Sequence, residues 1–349
     1  MKISNFDFKN KNKTFIIAEL SANHNQDIEI AKKTISAIKK SGADCVKLQT
    51  YTPDTLTIDS KKEDFIIKGS IWDGKSYYDL YKEAYTPWNW HEELFEFAKQ
   101  EGLICFSSPF DKTAVDLLEK LNTPAYKIAS FEITDIPLIE YTASKGKPMI
   151  FSTGIASLED IKLALDTCKK VGNSQIILLK CTSSYPAPIE EANLRMIKKY
   201  SDDFDVITGL SDHTLGYLCP IVAVSLGARV IEKHFILDRS LGGPDASFSM
   251  NPEEFGDMVE KIREIEKSLG KQNYILTDKQ IKGKSFSRSL YVVKDIKKGD
   301  LFSNSNVRSI RPGYGLHPKF LKDILGKISE INIEKGTRFD MKFLIKNEK

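Results

Sequence analysis

Side chains of the types that carry out chemistry recur at the ends of short apolar runs in this chain. Lys47 and Gln49 lie two residues apart, and so do Glu232 and His234. Because alternate residues of a β-strand face the same side, each pair predicts two polar side chains on one face. Ammonium groups, carboxylates, hydroxyls and imidazoles gathered in this way can bind an anion, transfer protons or hold a metal ion.

The elements that must position these side chains follow a strand–helix alternation from residue 14 to about 270. The predicted strands are Phe15–Ala18, Cys45–Leu48, Ile104–Phe106, Tyr126–Ala129, Met149–Phe151, Ile176–Leu179, Val206–Leu210 and Val230–Phe235. The clearest predicted helices are Ile28–Lys40, Trp90–Gln100, Leu158–Val171 and Pro252–Leu269. Eight such units in about 255 residues are typical of a (β/α)8 TIM barrel, with the catalytic mouth at the C-terminal strand ends. An open doubly wound sheet is the alternative, but no G-x-G-x-x-G motif follows the first strand.

A second, smaller domain is predicted after the barrel. Residues 1–270 are assigned to the barrel, 271–283 to a polar linker and 284–349 to a small β-rich domain. The last of these segments carries a net charge of +8, against −5 for the rest of the 349-residue chain. No RNA-binding motif accompanies this charge, so nucleic acid is not expected as a partner. The charge favours a basic domain that docks on an acidic one or faces an anionic substrate.

Residues 51–85 interrupt the alternation with a long segment rich in tyrosine and tryptophan. Loops at this end of a barrel strand stand over the active site. We expect a lid over the site or a dimer contact, with a segment that only covers the outer surface of the barrel as the alternative.

His213 and His234 are separated by 21 residues, the length of one strand–helix unit. They should therefore lie at the same level of neighbouring strands, where two imidazoles could bind one divalent cation. Two imidazoles leave coordination positions for water and substrate, which suits a Lewis acid that polarises a carbonyl group. The alternative is a hydrogen-bonded core or an acid–base role for each histidine.

A group of lysines and serines predicts an anion site, in which Lys47 and Lys127 supply the positive charge. The serines with hydroxyls available as donors are Ser108, Ser130, Ser152 and Ser211. Each serine could instead be an ordinary helix N-cap. Lys127 also permits a lyase that works through a Schiff base.

The composition indicates a cytoplasmic protein without a membrane span. The five cysteines form no C-x-x-C motif and are an odd number, as expected for reduced thiols. No run approaches the roughly 18 apolar residues of a spanning helix. The N-terminal lysines precede no apolar run, so a signal peptide is not expected.

Nine ordered motifs resemble those of the sialic acid synthase family. They are AELSANHN (18–25), VKLQTY (46–51), FSSPF (106–110), YKIASFEITD (126–135), STG (152–154), CTSSYPAP (181–188), GLSDHTLG (209–216), EKHF (232–235) and GGPDASFS (242–249). The tail, with SLYVVKDIKKGD and IRPGYGL, is similar to that family's antifreeze-like (SAF) domain. The resemblance covers essentially the whole chain.

Three departures from the N-acetylneuraminate synthases resemble the pseudaminic acid synthase branch of that family. Residues 19–24 replace a glycine-containing segment, Ser183 stands where an asparagine is usual, and Ala246 stands where a histidine is usual. The aromatic 51–85 insertion is similar to that branch as well.

The resemblance implies a transferase reaction. Phosphoenolpyruvate would condense with 2,4-diacetamido-2,4,6-trideoxy-L-altrose to give pseudaminic acid and phosphate by C–O cleavage. His213 and His234 would hold the divalent metal, manganese in most of the family, with magnesium or cobalt as alternatives. Catalytic roles would fall to Glu19, Glu132 and Lys127, with the two glutamates handling protons. Substrate binding would involve Lys47, Gln49, Ser108, Ser130, Ser152, Ser183, Tyr185, Ser211, Asp245, Phe286 and Arg311.

The resemblance also implies a domain-swapped homodimer in which Arg311 reaches the other subunit's sugar. N-acetylneuraminate or legionaminate synthesis from another N-acetylated hexose is the alternative within the family. A Schiff-base lyase acting through Lys127 and a non-catalytic sugar-binding protein are the alternatives from other classes.

Overall fold

The computed structural model describes residues 1–10 and 12–344. The chain divides into two compact units, Met1–Gly270 and Lys271–Lys349. Residues 345–349, which the sequence analysis assigns to the second domain, lie outside the described residues.

The first unit is a closed barrel of eight parallel strands, so the predicted (β/α)8 fold is confirmed. The strands are β1 (Phe15–Glu19), β2 (Cys45–Thr50), β3 (Ile104–Pro109), β4 (Tyr126–Ile128), β5 (Met149–Ser152), β6 (Ile176–Cys181), β7 (Ile207–Asp212) and β8 (Val230–His234). They are hydrogen-bonded in chain order, and β8 closes the barrel on β1 with His234 opposite Glu19.

Eight helices surround the barrel: α1 (Ile28–Lys40), α2 (His91–Gln100), α3 (Lys112–Lys120), α4 (Ile136–Ala143), α5 (Leu158–Lys170), α6 (Met196–Phe204), α7 (Leu218–Ser225) and α8 (Pro252–Leu269). Local chemistry sets several of their starts. The Asp27 carboxylate accepts from the Glu29 backbone N–H to cap α1, and Asn251 and Glu254 form a capping box at α8. Two further helices, Pro53–Leu56 and Tyr77–Ala84, lie in the insertion between β2 and α2.

The barrel interior changes from apolar to polar along the strands. The buried cluster in its lower half includes Phe15, Ile17, Cys45 and Phe106. Two residues after Cys45 on the same face of β2 comes Lys47, and a similar change occurs on the other strands. The apolar layers hold the barrel together, and the last inward positions are left for polar side chains.

A short hairpin covers the N-terminal end of the barrel. Its strands, Lys2–Ile3 and Phe6–Asp7, pair antiparallel. The Phe6, Phe8 and Phe15 rings contact one another, with the Phe6 and Phe15 centroids 4.7 Å apart. The hairpin therefore extends the apolar core and closes this end of the barrel.

The second unit has its own small core around Leu290, Phe302 and Phe339. Its strands β9 (Ser289–Val292) and β10 (Val307–Ile310) pair antiparallel. Its helices are Asp278–Gly283 and Leu321–Ile324, so part of the segment predicted to be a linker is helical. Among the described residues of the whole chain, no helix is long and apolar enough to cross a membrane.

Candidate active site

A buried network of two carboxylates and two ammonium groups lies inside the upper half of the barrel. Lys47 Nζ lies 2.9 Å from Glu19 Oε2 and 2.8 Å from Glu232 Oε1. Lys127 Nζ lies 3.1 Å from the same Glu232 oxygen. All four side chains are almost fully buried. The network joins β1, β2 and β4 to β8, the last strand of the barrel.

The charges in this network stabilise one another against burial. Burial acts to raise the pKa of Glu19, but Lys47, His234 and Lys127 together outweigh it and hold the pKa of Glu19 well below its usual range. The pKa of Glu232 is also lowered, because Lys127 and Lys47 outweigh its burial. Burial lowers the pKa of Lys127 against the opposing effect of Glu232, and Lys47 adds to the lowering. Glu19 and Glu232 are therefore ionised partners of the two lysines.

Serine hydroxyls and a glycine backbone N–H lie in the same region of the barrel. Ser108 Oγ and Ser152 Oγ are buried and have no hydrogen-bond partner within the described part of the chain. The Gly154 backbone N–H donates to Ser130 Oγ over 3.1 Å. A Cβ atom at Gly154 would lie 1.9 Å from Ser183 Oγ, so only glycine fits there. Buried polar atoms normally have partners, which makes unpaired hydroxyls an indication of a ligand site.

Glu132 differs from the other carboxylates of the site. Burial raises the pKa of Glu132 to about 7, against the weaker opposing effect of Lys127. Its Oε2 atom is buried without a hydrogen-bond partner among the described residues. A carboxyl group with this pKa can donate or accept a proton near neutral pH.

The two histidines predicted to bind metal lie side by side. The centroids of the His213 and His234 rings are 5.3 Å apart. His213 Nδ1 donates to the Thr182 carbonyl oxygen over 2.9 Å, which leaves Nε2 as the nitrogen with a free lone pair. His234 Nε2 lies 3.3 Å from Glu19 Oε2, while His234 Nδ1 is buried without a hydrogen-bond partner in the described structure.

The donor set fits a cation held by two imidazoles. Metal-binding histidines usually donate their other ring N–H to a carbonyl or carboxylate, as His213 does here. Burial lowers the pKa of His234 and so favours the neutral form that binds metal. Among the described residues, no group of three or more His, Cys, Asp and Glu side chains could hold a metal ion. A cation here would complete its coordination with water or substrate.

Cys181 is a further ionisable group beside His213, with its Sγ atom 3.8 Å from His213 Nδ1. Burial acts to raise the pKa of Cys181, but His213 outweighs it and lowers the pKa to about 7. Burial likewise opposes the charged form of His213, yet Cys181 and the Thr182 carbonyl raise its pKa overall. The sulfur and the imidazole are therefore electrostatically coupled.

A chain of hydrogen bonds connects Glu19 to the loop after β8. Gln49 Nε2 donates to Glu19 Oε1 over 2.8 Å and to Ser21 Oγ over 3.0 Å. Ser21 Oγ in turn donates to the Asp245 carboxylate. Asp245 Oδ2 lies 3.7 Å from His234 Nδ1, so this chain returns to the histidine pair.

These groups surround one cavity of about 570 Å3 at the C-terminal strand ends. The predicted residues that line it are Glu19, Lys47, Gln49, Lys127, Ser130, Glu132, Ser152, Ser183, Tyr185, Ser211, His213, His234 and Asp245. Ser108 is buried on β3, opposite Gln49, and does not line the cavity. Phe286 and Arg311 belong to the second unit, where both are exposed.

The aromatic insertion forms part of the cavity wall. Trp72, Tyr77 and Tyr81 line it. Trp72 Nε1 donates to the Pro244 carbonyl over 3.1 Å, and the Trp72 ring centroid lies 5.7 Å from that of Tyr185. The insertion therefore does more than cover the outer surface of the barrel.

Glu232 and Ser21 belong to the site although the sequence pattern assigned no role to either residue. The two-residue spacing of Glu232 and His234 indicates that both side chains lie on one face of β8. This spacing was the feature of the sequence that could have identified Glu232 as a site residue. Its contact with both lysines depends on barrel closure. Ser21 lies beyond the end of β1, where strand periodicity no longer predicts the direction of a side chain.

The closed barrel and its polar mouth define the class of the protein, a (β/α)8-barrel enzyme. The sequence pattern of the NeuB family matches residues 34–274, and that of the SAF domain matches residues 287–339. The chain belongs to the NeuB family, as the resemblance predicted.

Individual relatives agree with this assignment over nearly the full length. A pseudaminic acid synthase from Campylobacter jejuni is 50% identical over 96% of this chain and 97% of its own. A pseudaminic acid synthase from Helicobacter pylori is 52% identical over 89% of this chain and 92% of its own. The crystal structure of an N-acetylneuraminic acid (sialic acid) synthetase from Leptospira borgpetersenii has a TM-score of 0.71 at 30% identity, covering 78% of this chain and 90% of that one.

Proposed function

We propose that the protein is a pseudaminic acid synthase. It condenses phosphoenolpyruvate with 2,4-diacetamido-2,4,6-trideoxy-L-altrose and releases pseudaminic acid and phosphate. The near full-length identity to two bacterial pseudaminic acid synthases is the observation that carries this proposal. The arrangement of charges in the cavity supports it.

The lysine and serine side chains bind the anionic groups of the substrate. Lys47 and Lys127 share one oxygen of Glu232, and each ammonium has three N–H donors, so donors remain for a phosphate or carboxylate. The unpaired Ser152 hydroxyl and Ser130, whose Oγ accepts from the Gly154 N–H, line the same cavity. These groups bind phosphoenolpyruvate and orient its C3 carbon toward the sugar aldehyde.

Proton transfer is assigned to Glu132. Attack by C3 generates an alkoxide that needs a proton, and water that adds at C2 must lose one. The tetrahedral product then expels phosphate as its C–O bond breaks. A group that titrates near pH 7 can serve both steps, which fits the raised pKa of Glu132. Glu19 stays ionised and, with Gln49, fixes the position of neighbouring polar groups.

A divalent cation, manganese by preference, is proposed at His213 and His234. When bound, it supplies Lewis-acid polarisation of the aldehyde carbonyl. His213 presents Nε2 and His234 presents a neutral ring for this purpose. The Glu19 carboxylate beside His234 keeps that ring oriented.

We also propose a cytoplasmic homodimer in which Arg311 of one subunit contacts the sugar bound by the other. Support for the compartment comes from the five cysteines, all buried and free of disulfides within the described chain. Support for the contact of Arg311 with the other subunit's sugar comes from Phe286 and Arg311, which are exposed in the positively charged second unit.

The test is phosphate release from phosphoenolpyruvate with a panel of N-acetylated hexoses, with and without manganese. We expect release with the diacetamido-altrose in the presence of metal, loss of release with EDTA, and pseudaminic acid as the product by mass spectrometry. Preference for N-acetylmannosamine or for the legionaminate precursor would overturn the choice of sugar. Phosphoenolpyruvate labelled with 18O at the C2–O bridge should deliver the label to phosphate.

Two lysine variants provide the control. Lys127→Met should abolish release, whereas Lys147→Met, which removes a lysine that pairs with Glu119 outside the cavity, should retain it. Borohydride added during turnover should trap no adduct. A covalent adduct on Lys127 would support the Schiff-base alternative instead.

A further inference from the structure

A second buried ion pair lies close to the cavity but points away from it. Lys233 Nζ lies 2.6 Å from Asp212 Oδ2, and both side chains are almost fully buried. The two residues are direct neighbours in the β7–β8 register. Their strand neighbours Ser211, Glu232 and His234 line the cavity, so Lys233 and Asp212 face outward, toward the surrounding helices.

The two residues of this ion pair are next in sequence to the two histidines of the proposed metal site. Lys233 is the residue immediately before His234, and Asp212 immediately precedes His213. Lys233 Nζ also donates to the Thr214 carbonyl oxygen over 2.5 Å. The Lys233 ammonium group therefore contacts both residues that flank His213, and Lys233 itself directly precedes His234.

Hydrogen bonds within the turn complete the arrangement. The Thr214 backbone N–H donates to Asp212 Oδ1 over 3.1 Å, and Thr214 Oγ1 donates to Asp212 Oδ2 over 3.1 Å. The turn that carries His213 is thus closed by Asp212 and attached to β8 by Lys233. A pair of apolar side chains could fill the same space, but it would provide no directional contacts to this turn.

From this geometry we infer that the Asp212–Lys233 ion pair is a positioning device that sets the separation of His213 and His234 for one cation. The inference rests on the proposed metal site. Groups that orient metal ligands typically change metal affinity by about 10–100-fold when they are removed. Asp212 and Lys233 touch neither the cation nor the substrates in this arrangement.

The experiment removes both charges together, so that neither is left buried alone. In Asp212→Asn/Lys233→Met, the asparagine retains an acceptor for the Thr214 N–H. We expect the dissociation constant for Mn2+, measured by isothermal titration calorimetry on the metal-free protein, to rise about 10–100-fold. The affinity for phosphoenolpyruvate should stay within about twofold of wild type, because Lys47 and Lys127 lie in a separate network.

A matched control deletes another ion pair in the same way. Asp44→Asn/Arg263→Met removes a contact of 2.7 Å that is not part of the cavity. Its Mn2+ affinity should remain that of wild type. If Asp212→Asn/Lys233→Met does not fold, Asp212→Asn alone should weaken Mn2+ binding at least about threefold.

The outcomes separate this inference from the proposed function. Unchanged Mn2+ affinity in a folded Asp212→Asn/Lys233→Met variant would overturn the positioning role alone. Equal weakening of Mn2+ and phosphoenolpyruvate binding would also overturn it, because it would indicate general distortion. Absence of saturable Mn2+ binding by the wild type would overturn the metal site and this inference together, while phosphate release would still test the condensation.

Discussion

Two carboxyl groups in one cavity have opposite electrostatic surroundings. Glu19 is paired with Lys47, which together with His234 and Lys127 keeps the pKa of Glu19 low despite burial. Burial dominates at Glu132 and raises its pKa to about 7. Environments that move two pKa values apart in this way separate a proton-transferring group from a permanently charged one.

Glu132→Gln removes the carboxyl group that we assign to proton transfer. We expect the wild-type pH–rate profile to show an ionisation near pH 7, and the variant to lose both this ionisation and about 10²–10⁴-fold of kcat. Measurement of kcat between pH 5 and 9 tests this. Glu140→Gln, at an exposed carboxyl on α4, is the control and should keep the wild-type profile. An unaltered profile in the Glu132 variant would remove this residue from proton transfer.

Glu132 also predicts a pH dependence of stability that needs no substrate. Its folded pKa of about 7 lies above the ordinary 4.5, so the folded state keeps a proton that the unfolded chain loses between these values. The free energy of unfolding should therefore fall as pH rises from 4.5 to 7, by up to about 3 kcal/mol from this group. Urea denaturation at pH 5 and pH 8 should show a smaller fall in Glu132→Gln, and equal falls would contradict the assignment.

At the residue scale, the sequence allowed prediction of side chains whose direction follows from strand periodicity. Lys47, Gln49 and His234 line the cavity for this reason. The position of Cys181 against His213, and the sharing of Glu232 by two lysines, depend on neighbours brought together by barrel closure. Local periodicity contains no information about those contacts.

At the scale of elements, helices were easier to delimit than strands. The bounds of α1 and α8 were predicted correctly, because capping residues and helical periodicity coincide there. The predicted strand at Cys45–Leu48 continues to Thr50, and the one at Ile104–Phe106 continues to Pro109. The polar residues of the cavity lie at these strand ends. The apolar pattern that predicts each strand therefore ends before the backbone pairing between the two strands ends.

The insertion supplies a prediction at this scale. Trp72→Ala removes a ring that contacts Tyr185 and a donor to the Pro244 carbonyl, both at the cavity wall. We expect the KM for the sugar to rise about 10-fold, equivalent to ~1.4 kcal/mol, with little change in the KM for phosphoenolpyruvate. Steady-state kinetics with each substrate varied in turn tests this.

The neighbouring Ile71 offers a control. Its side chain is 51% exposed and does not line the cavity, so Ile71→Ala should keep both KM values. Equal increases in both KM values for Trp72→Ala would indicate a general change in the cavity instead of a contact with the sugar.

At the scale of the whole molecule, the second unit contributes charge and exposed polar residues rather than a large core. In the proposed homodimer, Arg311→Ala should lower turnover when both subunits carry it. Mixing with Lys127→Ala after subunit exchange should restore part of the activity, because one composite site would then contain both wild-type residues. Phosphate release from the mixture tests this.

Arg308→Ala is the matched control, since Arg308 is also an exposed arginine of the second unit. It should keep wild-type turnover. Failure of the mixed sample to exceed the sum of its two components would argue for sites built within single subunits.

The N-terminal hairpin bears on the order in which two ligands enter the cavity. Phe6 and Phe8 belong to the apolar cluster that fills the lower half of the barrel, so among the described residues this cluster lies between the hairpin and the cavity. We therefore expect the ligand of the buried Lys47 and Lys127 ammonium groups to bind before the ligand that contacts the Trp72 and Tyr185 rings.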